Sequence, residues 1–306
     1  MTTPYPDVLR RYASPAGSFL AVEGEEHGWA NARYRILPVP YEATVSYGSG
    51  AKDGPAAIIE ASAQIELFDA ELDLYPGAAG IHTLPAVEPD VRGPEAMTRR
   101  LREVAEVLCE PGRVTIALGG EHSITPPLAL PYLDDPDTWV LCVDAHADLR
   151  ESYQGSPYSH ACAMHAIART GRLVQVGIRA LSEPERDLAR ELGLTMVMGW
   201  ELDADGRWLD RVFEALGPRV YLSLDVDGLD PTLMPATGTP VPGGLTWLQF
   251  TALVDRLGRE REVVAADVVE VAPAPGFHAP TFTAALAVYR IIGAIEAGRK
   301  DAGQSR

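Results

Sequence analysis

The sequence predicts an α/β fold, a mainly parallel sheet sandwiched between helices, and three observations carry that prediction. Apolar runs of strand length alternate with amphipathic stretches of helical period through most of the chain. The strand-like runs end in Gly, Asp, His or Glu, and in an open parallel sheet the carboxyl ends of the strands form the ligand-binding edge. No internal repeat, low-complexity stretch or linker-like composition divides the chain. Residues 31–298 therefore read as one domain, with 1–30 as an arm or surface segment and 299–306 as a flexible tail.

Residues 1–30 show no clear periodicity. The first buried strand is expected at 34–40 (YRILPVP). A Gly-rich loop, 41–53, leads into Gly54-Pro55, where Asp53 is placed to cap a helix and Pro55 to open it. Its spacing matches neither G-x-G-x-x-G nor a P-loop, so it reads as a turn rather than a phosphate cradle. Residues 81–85 read as a linker. Pro94 opens a helix in which Met97, Leu101, Val104 and Leu108 recur at helical period. Strand 114–118 ends in Gly119-Gly120-Glu121-His122-Ser123, and Pro126, Pro127 and Pro131 limit any helix after it. Strand 138–143 follows, then a polar loop (150–159), His160 and a potentially helical segment, 161–168. The alternation continues with strand 173–178, helix 183–192, strand 196–200, helix 208–216 and strand 220–224. A long loop (232–244) precedes a helix that Thr246 can cap; strand 263–269 and a last helix, 281–297, complete the chain.

Net charge is −17, which argues against nucleic acid and anionic membranes as partners and would attract a cationic substrate. There is no unbroken apolar run of membrane-spanning length, and the N-terminus lacks a hydrophobic signal core. Cys109, Cys142 and Cys162 are too few and scattered for a disulfide framework, which suggests a reducing, cytoplasmic setting; Cys142 reads as a small hydrophobe.

Candidate ligands gather at three strand ends. His122 follows the first; Asp144, His146 and Asp148 follow the second at a spacing of two; Asp225 and Asp227 repeat that spacing after the third. Residues two apart on a strand share a face. Any one of them fits a polar strand end, and Asp230-Pro231 fits a turn better than a ligand. Together the six read as a metal centre. The four aspartates balance two divalent ions, and two dications about 3.5 Å apart repel by roughly 19 kcal/mol at an effective dielectric of 20, so at least one carboxylate should bridge. A carboxylate-rich set without cysteine favours manganese over zinc.

The segments PVPYEATVSYGSGAKDGPAAI (38–58), GGEHSIT (119–125), VDAHADLR (143–150), YSHACAM (158–164), LSLDVDGLDP (222–231), ATGTPVPGGLT (236–246) and DVVEVAP (267–273) resemble the ureohydrolases, the arginase and agmatinase superfamily. The chain looks most like an agmatinase, and the resemblance covers about residues 34–297. It implies an arginase-like three-layer αβα fold with a roughly eight-stranded sheet and two Mn2+ per subunit. By position, His122 and Asp148 would bind one ion, His146 and Asp227 the other, and Asp144 and Asp225 would bridge. Glu270 would pair with the guanidinium, Asp148 would orient the attacking hydroxide held between the metals, and His160 would shuttle protons. His160 as a structural loop histidine is the alternative, with His165 the competing shuttle; His27, His82 and His278 lie outside the motifs.

The implied reaction converts agmatine, a small cationic guanidino substrate, to putrescine and urea, a step of polyamine biosynthesis. Related ureohydrolases act on guanidinobutyrate, aminopropylagmatine, arginine or formiminoglutamate. A single-zinc deacetylase-like amidohydrolase is the alternative from another class, but its site would need only Asp-x-His and one distant Asp. A metal-binding subunit without catalysis is the non-enzymatic reading. Glu121 stands where many members have Asp, and the loop 150–158 lacks the Asn and Ser pattern of arginases, which argues against arginine as substrate. The resemblance also implies a homo-oligomer, a trimer or hexamer.

Overall fold

A computed structural model describes residues 6–14, 17–202 and 206–304. Eight strands form the main sheet: β1 (Tyr34–Val39), β2 (Ile81–Thr83), β3 (Val114–Gly119), β4 (Thr138–Val143), β5 (Leu173–Ile178), β6 (Thr195–Met198), β7 (Arg219–Asp225) and β8 (Glu262–Val269). Their order is β2-β1-β3-β8-β7-β4-β5-β6, and every pairing is parallel. Strands β1, β3 and β5 are buried from end to end, as expected when helices cover both faces. Alternate residues feed two cores. Val220, Leu222 and Leu224 of β7 join the side packed by helices Gly54–Ser62, Trp247–Glu260 and Ala279–Gln304, while Tyr221 joins the side packed by Pro94–Leu108.

Several expectations change. Residues 81–85 are not a linker: Ile81–Thr83 is the edge strand, paired with Tyr34 to Ile36, and three residues are too few to show a period. Asp53 makes no side-chain cap; it ends a 3-10 turn with helical backbone angles, although Pro55 does open the helix. Thr246 caps as expected, reciprocally with Gln249. The strand after β5 stops at Met198, where a 3-10 turn, Gly199–Glu201, takes over. Parts of the N-terminal stretch are packed into the body rather than lying on it: Leu9, Phe19 and Leu20 are buried, and Ala13–Ser14 pairs with Ala86–Val87; residues 1–5, 15 and 16 lie outside the described residues. The last helix continues to Gln304, through most of the stretch expected as a tail, and residues 305–306 lie outside the described residues. Its Ala279–Gly303 portion is long and apolar enough to cross a membrane, but 78% of an 18-residue apolar stretch within it is buried in the protein's own core.

One close approach fixes the end of β3. The Gly120 N–H donates to Val39 O, the next N–H, of Glu121, donates to Tyr41 O, and Gly120 O accepts from Glu270 N–H. A Cβ at Gly120 would overlap the Tyr41 carbonyl oxygen, which is backbone and cannot turn aside. Gly120→Ala is therefore expected to destabilise the protein by about 1–3 kcal/mol through overpacking; urea unfolding should show a lower midpoint at unchanged slope.

Candidate metal centre

The strands that end in candidate residues are the four adjacent ones, β3-β8-β7-β4, although they are far apart in sequence. Parallel pairing in register brings their carboxyl ends to one level: Leu118 lies beside Val268, Val268 beside Leu224, and Leu224 beside Val143. His122, Asp144 and Asp225 then follow within a few residues of these tips.

Asp144, His146 and Asp148 do not converge by strand alternation, since β4 ends at Val143. Asp144 instead folds the chain into a turn, its Oδ1 accepting the His146 N–H at 2.6 Å. Asp225 does the same for Asp227, accepting its N–H at 2.9 Å. In Asp225 one carboxylate oxygen shapes the local backbone and the other faces His122, whereas both oxygens of Asp144 lie within reach of the site's imidazoles.

Two groups result, and Asp144 belongs to both. His122 Nδ1 lies 3.2 Å from Asp144 Oδ2, 3.1 Å from Asp148 Oδ2 and 3.3 Å from Asp225 Oδ2. His146 Nδ1 lies 3.0 Å from Asp227 Oδ2 and 3.7 Å from Asp144 Oδ1. Two ligand atoms at right angles around an ion, each about 2.1 Å from it, stand about 3.0 Å apart, so these spacings are those of donors around a shared cation. His122 Nδ1 is buried and close to three carboxylates, yet makes an aligned hydrogen bond to none of them. Oxygen and imidazole donors of this kind suit manganese, among other divalent ions. Buried Cys142 lies near His122 and Asp144, but burial raises its thiol pKa, so it stays a protonated neighbour.

The charges show what such a cluster demands. Burial lowers the His146 pKa, but Asp144 and Asp227 outweigh it and hold the imidazole up at about 12. Burial is likewise overcome at His122, which Asp144, Asp148 and Asp225 hold well above its ordinary value. Asp225 is pushed up by burial and by the charges of Asp227 and Asp144, whereas Asp227 is lowered because His146 outweighs its burial. Protons thus occupy places that cations can take.

No motif in the sequence points directly to the residues that orient His122. Ser223 Oγ donates to Asp267 Oδ1 at 2.7 Å, and Tyr221 donates to the other oxygen at 2.7 Å. With its proton committed there, Ser223 accepts from His122 Nε2–H at 3.1 Å, which leaves Nδ1 as the donor atom facing the aspartates. The only clue was position: Ser223 is two residues before Asp225, on the same strand face.

Above the cluster opens a cavity of about 440 Å³, lined by His146, Asp148, Asp225, Asp227, Glu270 and His160, together with Tyr47 and Tyr153. A larger groove of about 770 Å³ runs beside β6 near Met196 and Trp200; no candidate ligand lines it. Glu270 Oε1 accepts the His122 N–H at 2.7 Å, and burial, aided by Glu121 and Asp227, pushes its pKa up to about 8. Glu270 (φ 65°) and Asp148 (φ 49°) both hold left-handed backbone angles, strain of about 1 kcal/mol or more each that is characteristic of functional sites. His160 is anchored by Thr44 and meets Tyr153 edge-on. His165 instead bonds the Leu149 carbonyl and does not line the cavity, while His82 bonds the carbonyl of His27 beside edge strand β2.

The chain matches the Arginase family over residues 32–294. It is 44% identical to the N(1)-aminopropylagmatine ureohydrolase of Thermus thermophilus, covering 87% of this chain and 91% of that protein. It is 34% identical to the agmatinase of Pyrococcus horikoshii over 86% of this chain and 92% of that one. The agmatine ureohydrolase of Thermoplasma volcanium has a similar structure, with a TM-score of 0.81 at 29% identity, covering 97% of this chain and 99% of that one.

Two outcomes follow from the geometry. Imidazoles held protonated at neutral pH must release their protons to bind metal, so adding Mn2+ to metal-free protein should acidify a weakly buffered solution and the apparent affinity should rise with pH; both are read by indicator titration and calorimetry. Ser223→Ala should weaken binding at the His122 group by about 10–100-fold while the His146 group stays filled, as measured by metal analysis after graded dialysis.

Proposed function

The chain belongs to the arginase family, and from that membership we propose that it hydrolyses the guanidinium group of N(1)-aminopropylagmatine, releasing urea and a triamine, at a centre of two manganese ions. The observation that carries the chemistry is the pair of His-Asp groups joined through Asp144 on the floor of one cavity. Such a pair favours two ions over the single zinc of a deacetylase-like site. The longer substrate is favoured because the Thermus thermophilus enzyme bearing that name is 44% identical, against 34% for the agmatinase of Pyrococcus horikoshii. Agmatine is the second reading, supported by likeness to the agmatine ureohydrolase over nearly the whole chain.

His122 and Asp148 would hold one ion and His146 and Asp227 the other, with Asp144 and Asp225 shared between them. Bound there, two divalent ions make water a competent nucleophile at neutral pH, which the resonance-stabilised guanidinium otherwise resists. Asp148 reaches the cavity and can accept a hydrogen bond from the attacking water, fixing its direction. Glu270 is tethered by the His122 N–H but keeps lone pairs for the substrate, and a bound cation favours its ionised form. A planar guanidinium can donate to that carboxylate through paired N–H groups. His160, on the cavity wall, carries a proton between the departing amine and solvent.

A substrate panel with urea detection tests the assignment. We expect kcat/KM for N(1)-aminopropylagmatine to exceed that for agmatine at least about tenfold; the reverse order makes the enzyme an agmatinase, and formamide in place of urea would refute the reaction. Glu270→Gln should lower kcat about 100-fold or more with metal content unchanged. Prolonged chelation should abolish turnover, with manganese restoring it better than magnesium.

A further inference from the structure

Glu121 is fully buried, precedes His122 and touches no substrate-facing atom of the cavity, yet it is saturated with hydrogen bonds. Its Oε2 accepts the backbone N–H groups of Ala43 at 2.7 Å and Thr44 at 2.6 Å. Its Oε1 accepts the hydroxyls of Thr44 at 2.8 Å and Ser123 at 2.5 Å. Those four bonds fill the four lone-pair sites of a carboxylate. The same Thr44 hydroxyl meets His160 twice: it accepts the His160 backbone N–H at 3.0 Å and lies 3.2 Å from His160 Nδ1.

Counting protons decides the direction of that last contact. Thr44 has one hydroxyl proton. A carboxylate has none to give, so if Thr44 turned its proton to His160, two oxygens would face each other at 2.8 Å with nothing between them. The proton therefore points at Glu121, and the Thr44 oxygen has two lone pairs left. One takes the His160 backbone N–H; the other faces Nδ1 and requires a hydrogen there. Ser159 Oγ, 3.4 Å from Nδ1, is too distant to compete strongly.

We infer that Glu121 and Thr44 are positioning residues that fix His160 as its Nδ1–H tautomer, leaving Nε2 as the ring's proton-accepting atom. This rests on the proposed role of His160 and explains what selects its reactive nitrogen. The imidazole can take up a proton at Nε2 and return it without disturbing the Nδ1–H bond to Thr44, so the ring does not turn during proton transfer. The device also ties the loop around Thr44 to the segment that carries His122, so the proton carrier and a metal ligand are set by the same residue pair, Glu121 and His122.

The direct test is neutron diffraction of crystals of the metal-loaded wild-type protein exchanged into deuterated buffer at pH 9, above the ordinary imidazole range. Deuterium on His160 Nδ1 alone, with the Thr44 deuteron aimed at Glu121, is the expected result. Deuterium on Nε2, or a Thr44 deuteron aimed at Nδ1, would overturn the inference. In solution, Thr44→Val should lower kcat about tenfold or more with KM changed less than about twofold, and Thr44→Ser, which keeps the hydroxyl, should recover most of it. Wild-type kcat in Thr44→Val, or equal losses in both variants, would sink the idea. His160→Asn separates the two layers: full turnover there removes the proposed proton carrier, while the neutron map still reads the tautomer independently.

Discussion

Four aspartates packed around two imidazoles at the tips of adjacent parallel strands form the constraint on which the site depends. Their negative charges cannot be relieved by solvent, because Asp144, Asp225 and Asp227 are almost fully buried. Without ions the cluster retains protons, with imidazoles held charged and Asp225 driven toward its neutral form. Two divalent cations cancel the four carboxylate charges while leaving the histidines neutral, the state in which they coordinate. The arrangement is thus a cation receptor first, and its catalytic competence follows from what the cations bring.

The sheet order makes that concentration of charge possible. β3, β8, β7 and β4 are neighbours, so residues separated by about 150 positions along the chain meet at one edge. Parallel register holds the tips level, and the helices on both faces exclude water from beneath them. The cost of placing carboxylates there is offset locally by backbone donors: the N–H groups of His146, Asp227, Ala145 and His122 each bond a carboxylate of the cluster or its neighbour Glu270.

A shell of neutral and acidic residues behind the ligands sets proton positions. Ser223 and Asp267 determine which nitrogen of His122 faces the aspartates, and Thr44 and Glu121 determine which nitrogen of His160 carries hydrogen. Both devices use a hydroxyl that donates to a buried carboxylate and therefore must accept from a histidine. A mono-protonated ring has two possible tautomers of similar energy, and one well-placed hydroxyl is enough to choose between them. Glu121 in the GGEHS segment has the reach to collect two backbone N–H groups and two hydroxyls, which gives a structural reason for an acidic residue at a position that faces no substrate.

The strand-and-helix alternation, the ligand-rich strand ends and the family can be read from the residues alone, because buried parallel strands are continuous apolar runs and metal ligands must be particular residue types. Tyr34–Val39, Leu173–Ile178 and the helix opened by Pro94 were legible for that reason, and so were the six residues that meet at the centre. Edge strand Ile81–Thr83 and the packing of Leu9 and Phe19 were not, since three residues carry no period and docking depends on a surface that exists only after folding. Nor could the spacing of two in Asp144-x-His146-x-Asp148 reveal that a turn, not a continuing strand, sends His146 toward Asp227 and Asp148 toward His122. Ser223, Asp267, Thr44 and Glu121 are common residue types whose roles come from hydrogen bonds to distant parts of the chain. Only the folded arrangement assigns them, because a proton's location depends on every donor and acceptor around it and not on the identity of its neighbours in sequence.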